Sequence, residues 1–333
     1  MFALILLWSM ACVACIYNSR AFCCIPIIAC IDLYHSFFTN YCPVIFSTFT
    51  PPYGIMITYP SDVFLLGLCI TFSILSGLHI WIYPQYTCAL LSSTLSVYII
   101  SCTNDLFNMF LGLELMFCSI LYILSKQKLN CREFVLWGSV LSALLLIIII
   151  YIYGETGTFV INNFSKYTSI LFIILCCKIG IFGNHWLYIY SSSEVFAYLL
   201  CCSKINVLLL YKLRHLFEYF EDIYLLHLII FTGILTFRSQ YFMLNLSAYH
   251  SLVSYVAIIY GASGLAVFCY VISSMFVYYT VNCKFYSNLI TLNPFAIEVI
   301  CTTAFQLWLM SFMSESIILS LSIYKAILLY FVV

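Results

Sequence analysis

The chain has 333 residues, 65% of them hydrophobic and only 7% charged, with 12 basic and 12 acidic side chains that cancel. A typical soluble domain carries about 25% charged residues, so this composition excludes a water-soluble fold and makes the chain an integral membrane protein. Zero net charge also leaves no electrostatic basis for nucleic-acid binding.

The apolar residues form continuous blocks such as ALLLIIIIYIY, whereas a transmembrane barrel alternates apolar and polar positions. The spans are therefore helices. At about 20 residues each, roughly 11 to 13 transmembrane helices fit the length with tight loops. No stretch is polar enough for a separate soluble domain, so the expectation is one all-α polytopic membrane domain over 1–333.

In chain order, 1–17 and 21–38 are short apolar segments separated by Asn18–Arg20. Residues 39–62 carry Pro43, Pro51, Pro52 and Pro60 and read as a loop with turns. Spans follow at 63–83, 86–102 and 105–125. Lys126, Lys128, Arg132 and Glu133 make the densest charge cluster and read as a water-facing loop. A span at 134–153 ends in the glycine-bearing turn YGETGTF. Residues 168–188 are apolar but interrupted, with Lys178 followed by Gly180, Gly183, Asn184 and His185. Glycine and polar residues at membrane depth predict a broken helix, tolerated only against protein or a wet cavity. Residues 195–213 form a span with a central lysine, Lys204, and 214–222 a charged loop. Shorter or less regular apolar segments cover 223–237, 243–262 (with His250 and Ser254 one turn apart), 264–281 and 296–333 (with Lys325).

The 18 cysteines lie mostly inside apolar runs and read as small core residues. Nothing resembles a haem or iron–sulfur frame, so no metal or cofactor site is expected in this chain. His79 and His227 fall near helix ends and read as interfacial. Phe (29), Tyr (28) and Cys (18) are abundant while Pro (7) and Gly (12) are scarce. That bias towards T-rich codons points to an organelle gene. The N-terminus MFALILLWSMACVACIY has neither the basic start of a signal peptide nor a transit sequence, and a protein made inside the organelle needs neither.

The stretch NDLFNMFLGLELMFCSILYILSKQK, Asn104 to Lys128, places Glu114 among leucines near the middle of a span. A lone charge at the bilayer centre costs roughly 2.5–3.5 kcal/mol even on gentle scales. Glu114, Lys178 and Lys204 lie one per span, each near its middle, with His185, His250 and Lys325 as intermediate groups. Several ionisable groups at similar depth on different helices suit a proton relay. A desolvated lysine can cycle between charged and neutral forms, and a nearby carboxylate stabilises the charged one. The alternative is that these residues only pair helices together.

The same blocks resemble a known family. FLGLELMFCSILYIL is similar to the Glu-bearing helix of the antiporter-like subunits of NADH:ubiquinone oxidoreductase, respiratory complex I. REFVLWGSVLSALLLIIIIYIYGETGTF resembles the next helix and turn of the chain 2 type. CCKIGIFGNHWLYIYSSSEVFAYLLCCSKI looks like the broken lysine helix and the lysine helix after it, and LNLSAYHSLVSYVAIIYG like a later family helix. The order and spacing of the four blocks, over about 104–262, carry the resemblance, with weaker likeness to 333.

The resemblance implies two inverted repeats, each with one broken helix: 1–83 as N-terminal helices, 86–213 as the first repeat and 223–333 as a truncated second one. It places Glu114, Lys178 and Lys204 on the family's relay positions, and Lys325 on the late lysine by distance alone. The family's prolines after the first broken helix are absent, so Gly180, Gly183 and Asn184 must supply the break. The family's later histidine is Ser254 here, with His250 one turn before it. The implied protein is a multi-pass, organelle-encoded subunit of the complex I membrane arm in the mitochondrial inner membrane. It translocates protons while other subunits carry the redox chemistry. Its expected partners are other membrane-arm subunits and membrane lipids, and the rest of the C-terminal repeat is either lost or supplied by a separate polypeptide. A non-pumping structural subunit, a chain 4 or 5 paralogue and an independent cation/proton antiporter are the alternatives.

Overall fold

The computed structural model describes residues 2–38, 44–46, 55–57, 63–157, 159, 167–179, 208, 209, 212 and 213. Among these, the helices are α1 (Phe2–Ala14), α2 (Cys24–Phe38), α3 (Val63–Ile82), α4 (Thr87–Cys102), α5 (Leu106–Lys126), α6 (Arg132–Thr156) and α7 (Thr168–Ile179). Three of them, at Leu65–Ile82, Leu106–Lys126 and Arg132–Thr156, are long and apolar enough to cross a membrane.

The first four helices close on themselves. α1 packs on α2, α2 on α3, α3 on α4 and α4 back on α1. From this ring α5 packs on α4, α6 on α5 and α7 on α6. Asp32 of α2 accepts a hydrogen bond at 3.0 Å from the backbone N–H of Ala3, satisfying one of the unpaired donors at the start of α1. α4 is Ser/Thr-rich yet buried almost all round. Its hydroxyls make that possible by donating to their own helix, Ser93 to the Leu90 carbonyl at 2.8 Å and Thr94 to that of Leu91 at 2.7 Å. Such back-bonding leaves no polar hydrogen unsatisfied in an apolar setting.

The structure departs from the sequence expectations at four places. Residues 39–62 are more than a loop: β1 (Val44–Phe46) and β2 (Ile55–Ile57) pair antiparallel, with Ile45 opposite Met56. The β-branched and aromatic residues of VIF and IMI favour that pairing. The helix expected over 134–153 begins at Arg132 and runs to Thr156. Arg132 and Glu133 thus belong to α6, where a first-turn carboxylate suits the helix dipole. The YGETGTF turn is helical through Thr156 and reverses at Gly157, whose φ of 68° lies in the left-handed region. His79 is buried, 2% exposed, its Nδ1–H donating to the Leu75 carbonyl at 3.1 Å. Among the described cysteines Cys69 and Cys102 are buried as expected, but Cys12, Cys15, Cys24 and Cys118 are exposed, and Cys15 Sγ lies 2.8 Å from that of Cys88 at the α1–α4 contact.

Candidate functional site

Two glycines set how closely α5 can approach its neighbours. At Gly112 a Cβ would stand 2.6 Å from Ile100 and 3.2 Å from the Ser96 carbonyl, so α4 and α5 meet there almost backbone to backbone. Between the same helices Ser92 and Ser119 share a hydrogen bond of 2.7 Å. On the other side, a Cβ at Gly138 of α6 would run into the Phe117 ring. That ring stacks on Phe134 with centroids 4.8 Å apart. Residues three and four apart share a helix face. Phe134, Gly138, Ser142, Leu145, Ile149 and Ile152 therefore form one inward stripe of α6, and all but the glycine are recorded as buried.

Glu114 stands on α5 one turn before Phe117, and Ser142 on α6 one turn after Gly138. α7 brings in Lys178 on the face that holds the buried Leu171, Ile174 and Leu175. Lys178 Nζ lies 3.6 Å from Glu114 Oε1 and donates a hydrogen bond to Ser142 Oγ at 3.1 Å. The lysine side chain is 11% exposed and the glutamate side chain 29%. Glu114 Oε1 is buried and accepts no hydrogen bond among the described residues. At about 4 Å two unit charges attract by roughly 4 kcal/mol at an effective dielectric near 20, before the desolvation of each is subtracted. The two groups thus form a close, largely buried ion pair.

Of the residues singled out from the sequence, the structure brings Glu114 and Lys178 together. Lys204, His185, His250, Lys325, Gly180, Gly183 and Asn184 lie outside the described residues. Two participants were missed. Ser142 is uncharged and sits in an ordinary-looking GSVLSALLL run; its only signal is its place one turn after Gly138. Lys212 lies near a charged loop in the sequence, yet its Nζ donates to the backbone carbonyl of Thr103, the residue that caps α4. The adjacent Asp105, 5% exposed, accepts from Asn108 Nδ2 at 3.0 Å, and the Leu106 N–H donates to the Phe159 carbonyl at 3.0 Å. This second polar cluster anchors the α4–α5 connection.

No protein-family model matches the sequence, and no curated protein matches it. Solved structures do. A chain of the archaeal membrane-bound sulfane sulfur reductase, a respiratory membrane complex, aligns with a TM-score of 0.75 at 13% identity, over 99% of this chain and 85% of that one. A chain of respiratory complex I from Thermus thermophilus aligns at 0.71 and 14% identity, over 99% and 88%. A chain of the Mrp complex from Dietzia sp. DQ12-45-1b aligns at 0.66 and 14% identity over 83% of this chain, which spans 62% of that chain's length. Identities this low speak to the fold alone, and the fold this chain shares with them is that of a multi-pass helical membrane protein.

Proposed function

We propose that the chain is a proton-translocating membrane-arm subunit of a mitochondrial respiratory complex I, of the chain 2 type, in the inner membrane. The observation that carries this reading is the Lys178–Glu114 pair, 3.6 Å apart, reaching from α7 and α5 on either side of α6. Glu114 and Lys178 interact in one state, and Lys204 takes the proton onward in another. His185, His250 and Lys325 are intermediate groups, and Gly180, Gly183 and Asn184 break the lysine helix. Residues 86–213 form one antiporter-like repeat and 223–333 belong to a second. The chain needs no cofactor of its own for this role, since NADH oxidation and quinone reduction belong to other subunits. Its partners are the neighbouring membrane-arm subunits and lipid.

The site's chemistry suits transport: a lysine held largely out of water can give up its proton, and a carboxylate 3.6 Å away stabilises its charged form. The test of membership is native electrophoresis of mitochondrial membranes. The chain co-migrates with NADH dehydrogenase activity on this account; recovery only as a free monomer, or in a complex without that activity, contradicts it.

A further inference from the structure

We propose that Ser142 is a positioning residue that holds Lys178 in reach of Glu114 and serves both protonation states of the lysine. This rests on the relay reading above. The hydroxyl is 8% exposed, lies on the helix between those of the two charged groups, and accepts from Lys178 Nζ at 3.1 Å.

Serines elsewhere in the chain use their hydroxyls differently. Ser139, three residues earlier on the same helix, donates to the Leu136 carbonyl at 3.0 Å, and Ser119 on α5 donates to that of Leu115 at 2.7 Å. Ser142 makes no such bond back to its own helix among the described residues, and its recorded hydrogen bond goes to the lysine. Its proton is therefore not committed to the backbone.

That difference matters because of what each partner can offer. A charged lysine has three donors and no acceptor; a neutral one gains a lone pair. An ionised carboxylate only accepts, so Glu114 can serve the charged lysine alone. A hydroxyl both donates and accepts. Ser142 accepts from the ammonium and, once the proton has left, can rotate its own hydrogen towards the amine nitrogen. It thereby keeps Lys178 at a fixed place in both states. It also gives the ammonium a partner besides Glu114.

The test compares Ser142→Ala, Ser142→Cys, Ser142→Thr, Lys178→Met and the double variant Ser142→Ala/Lys178→Met in the assembled complex. The readouts are quinone reduction and proton yield per NADH. Cysteine nearly keeps the volume but hydrogen-bonds weakly; threonine keeps the hydroxyl. Coupled turnover is expected to fall about tenfold in the alanine and cysteine variants, the scale of one lost hydrogen bond to a charged group, and to return with threonine. The double variant should be no worse than Lys178→Met alone, since the serine acts through the lysine. Normal turnover in Ser142→Cys beside an impaired Lys178→Met overturns the role of Ser142 and leaves the relay standing. A further loss in the double variant also overturns it, because the serine then acts through packing. Normal turnover in Lys178→Met overturns the relay and this inference together. If the alanine variant fails to assemble, the cysteine variant decides.

Discussion

Glu114 and Lys178 were legible in the sequence because a charge inside an apolar run stands out wherever it occurs. Ser142 and Lys212 were not. A serine in a membrane helix usually satisfies itself on its own backbone, as all four of those in α4 do, so nothing in the residue type marks the one that turns to a lysine. Lys212 falls at the end of the 195–213 span beside a charged loop, where a lysine near water draws no notice. The two lysines now make opposite predictions. Lys212→Leu keeps an apolar stem but takes the donor from the Thr103 carbonyl at the end of α4. Loss of a hydrogen bond from a charged group destabilises by about 1.5–3 kcal/mol. The thermal midpoint of the assembled subunit should drop while coupled turnover of the surviving complex is retained. Lost turnover with unchanged thermal stability would instead put Lys212 in the relay.

At the scale of elements, the apolar runs located α3, α4 and α5 to within a few residues, since length and hydropathy alone decide where a span can lie. The ends were harder. Arg132 and Glu133 read as loop because they are charged, yet a helix start tolerates charge where water reaches it. The hairpin of β1 and β2 was masked by the prolines around it. Helix contacts were not legible at all, because a glycine in a run of leucines does not say which neighbour it admits. Gly138 shows what depends on that choice. Its missing side chain leaves room for the Phe117 ring, one turn from Glu114. Gly138→Ala drives a methyl group into that ring, at about 1–3 kcal/mol for overpacking, and pushes α5 and α6 apart beside the ion pair. Coupled turnover should fall, and adding Phe117→Ala should restore part of it by vacating the same space. Full activity in Gly138→Ala alone would mean that α5 and α6 are not packed as described.

For the whole molecule, composition settled the solvent and the length settled the broad architecture, and the likeness to membrane chains of respiratory and Mrp complexes agrees with both. The N-terminal ring of α1 to α4 was not foreseen, because nothing in a set of uniformly apolar helices says that α1 returns to α4. Its consequence is mechanical: α5 leans on a closed bundle, so Glu114 stands on a fixed helix while Lys178 arrives from α7. The relay account turns on the charges of that pair. Glu114→Gln keeps size and hydrogen bonding and removes the negative charge; Lys178→Met removes the proton carrier. The decisive measurement is quinone reduction together with proton yield in membranes that hold the assembled Glu114→Gln and Lys178→Met complexes. The account predicts normal assembly with lowered coupled turnover in both variants, more severe in Lys178→Met. Normal turnover and normal proton yield in both would contradict it and leave the pair as a structural contact between helices.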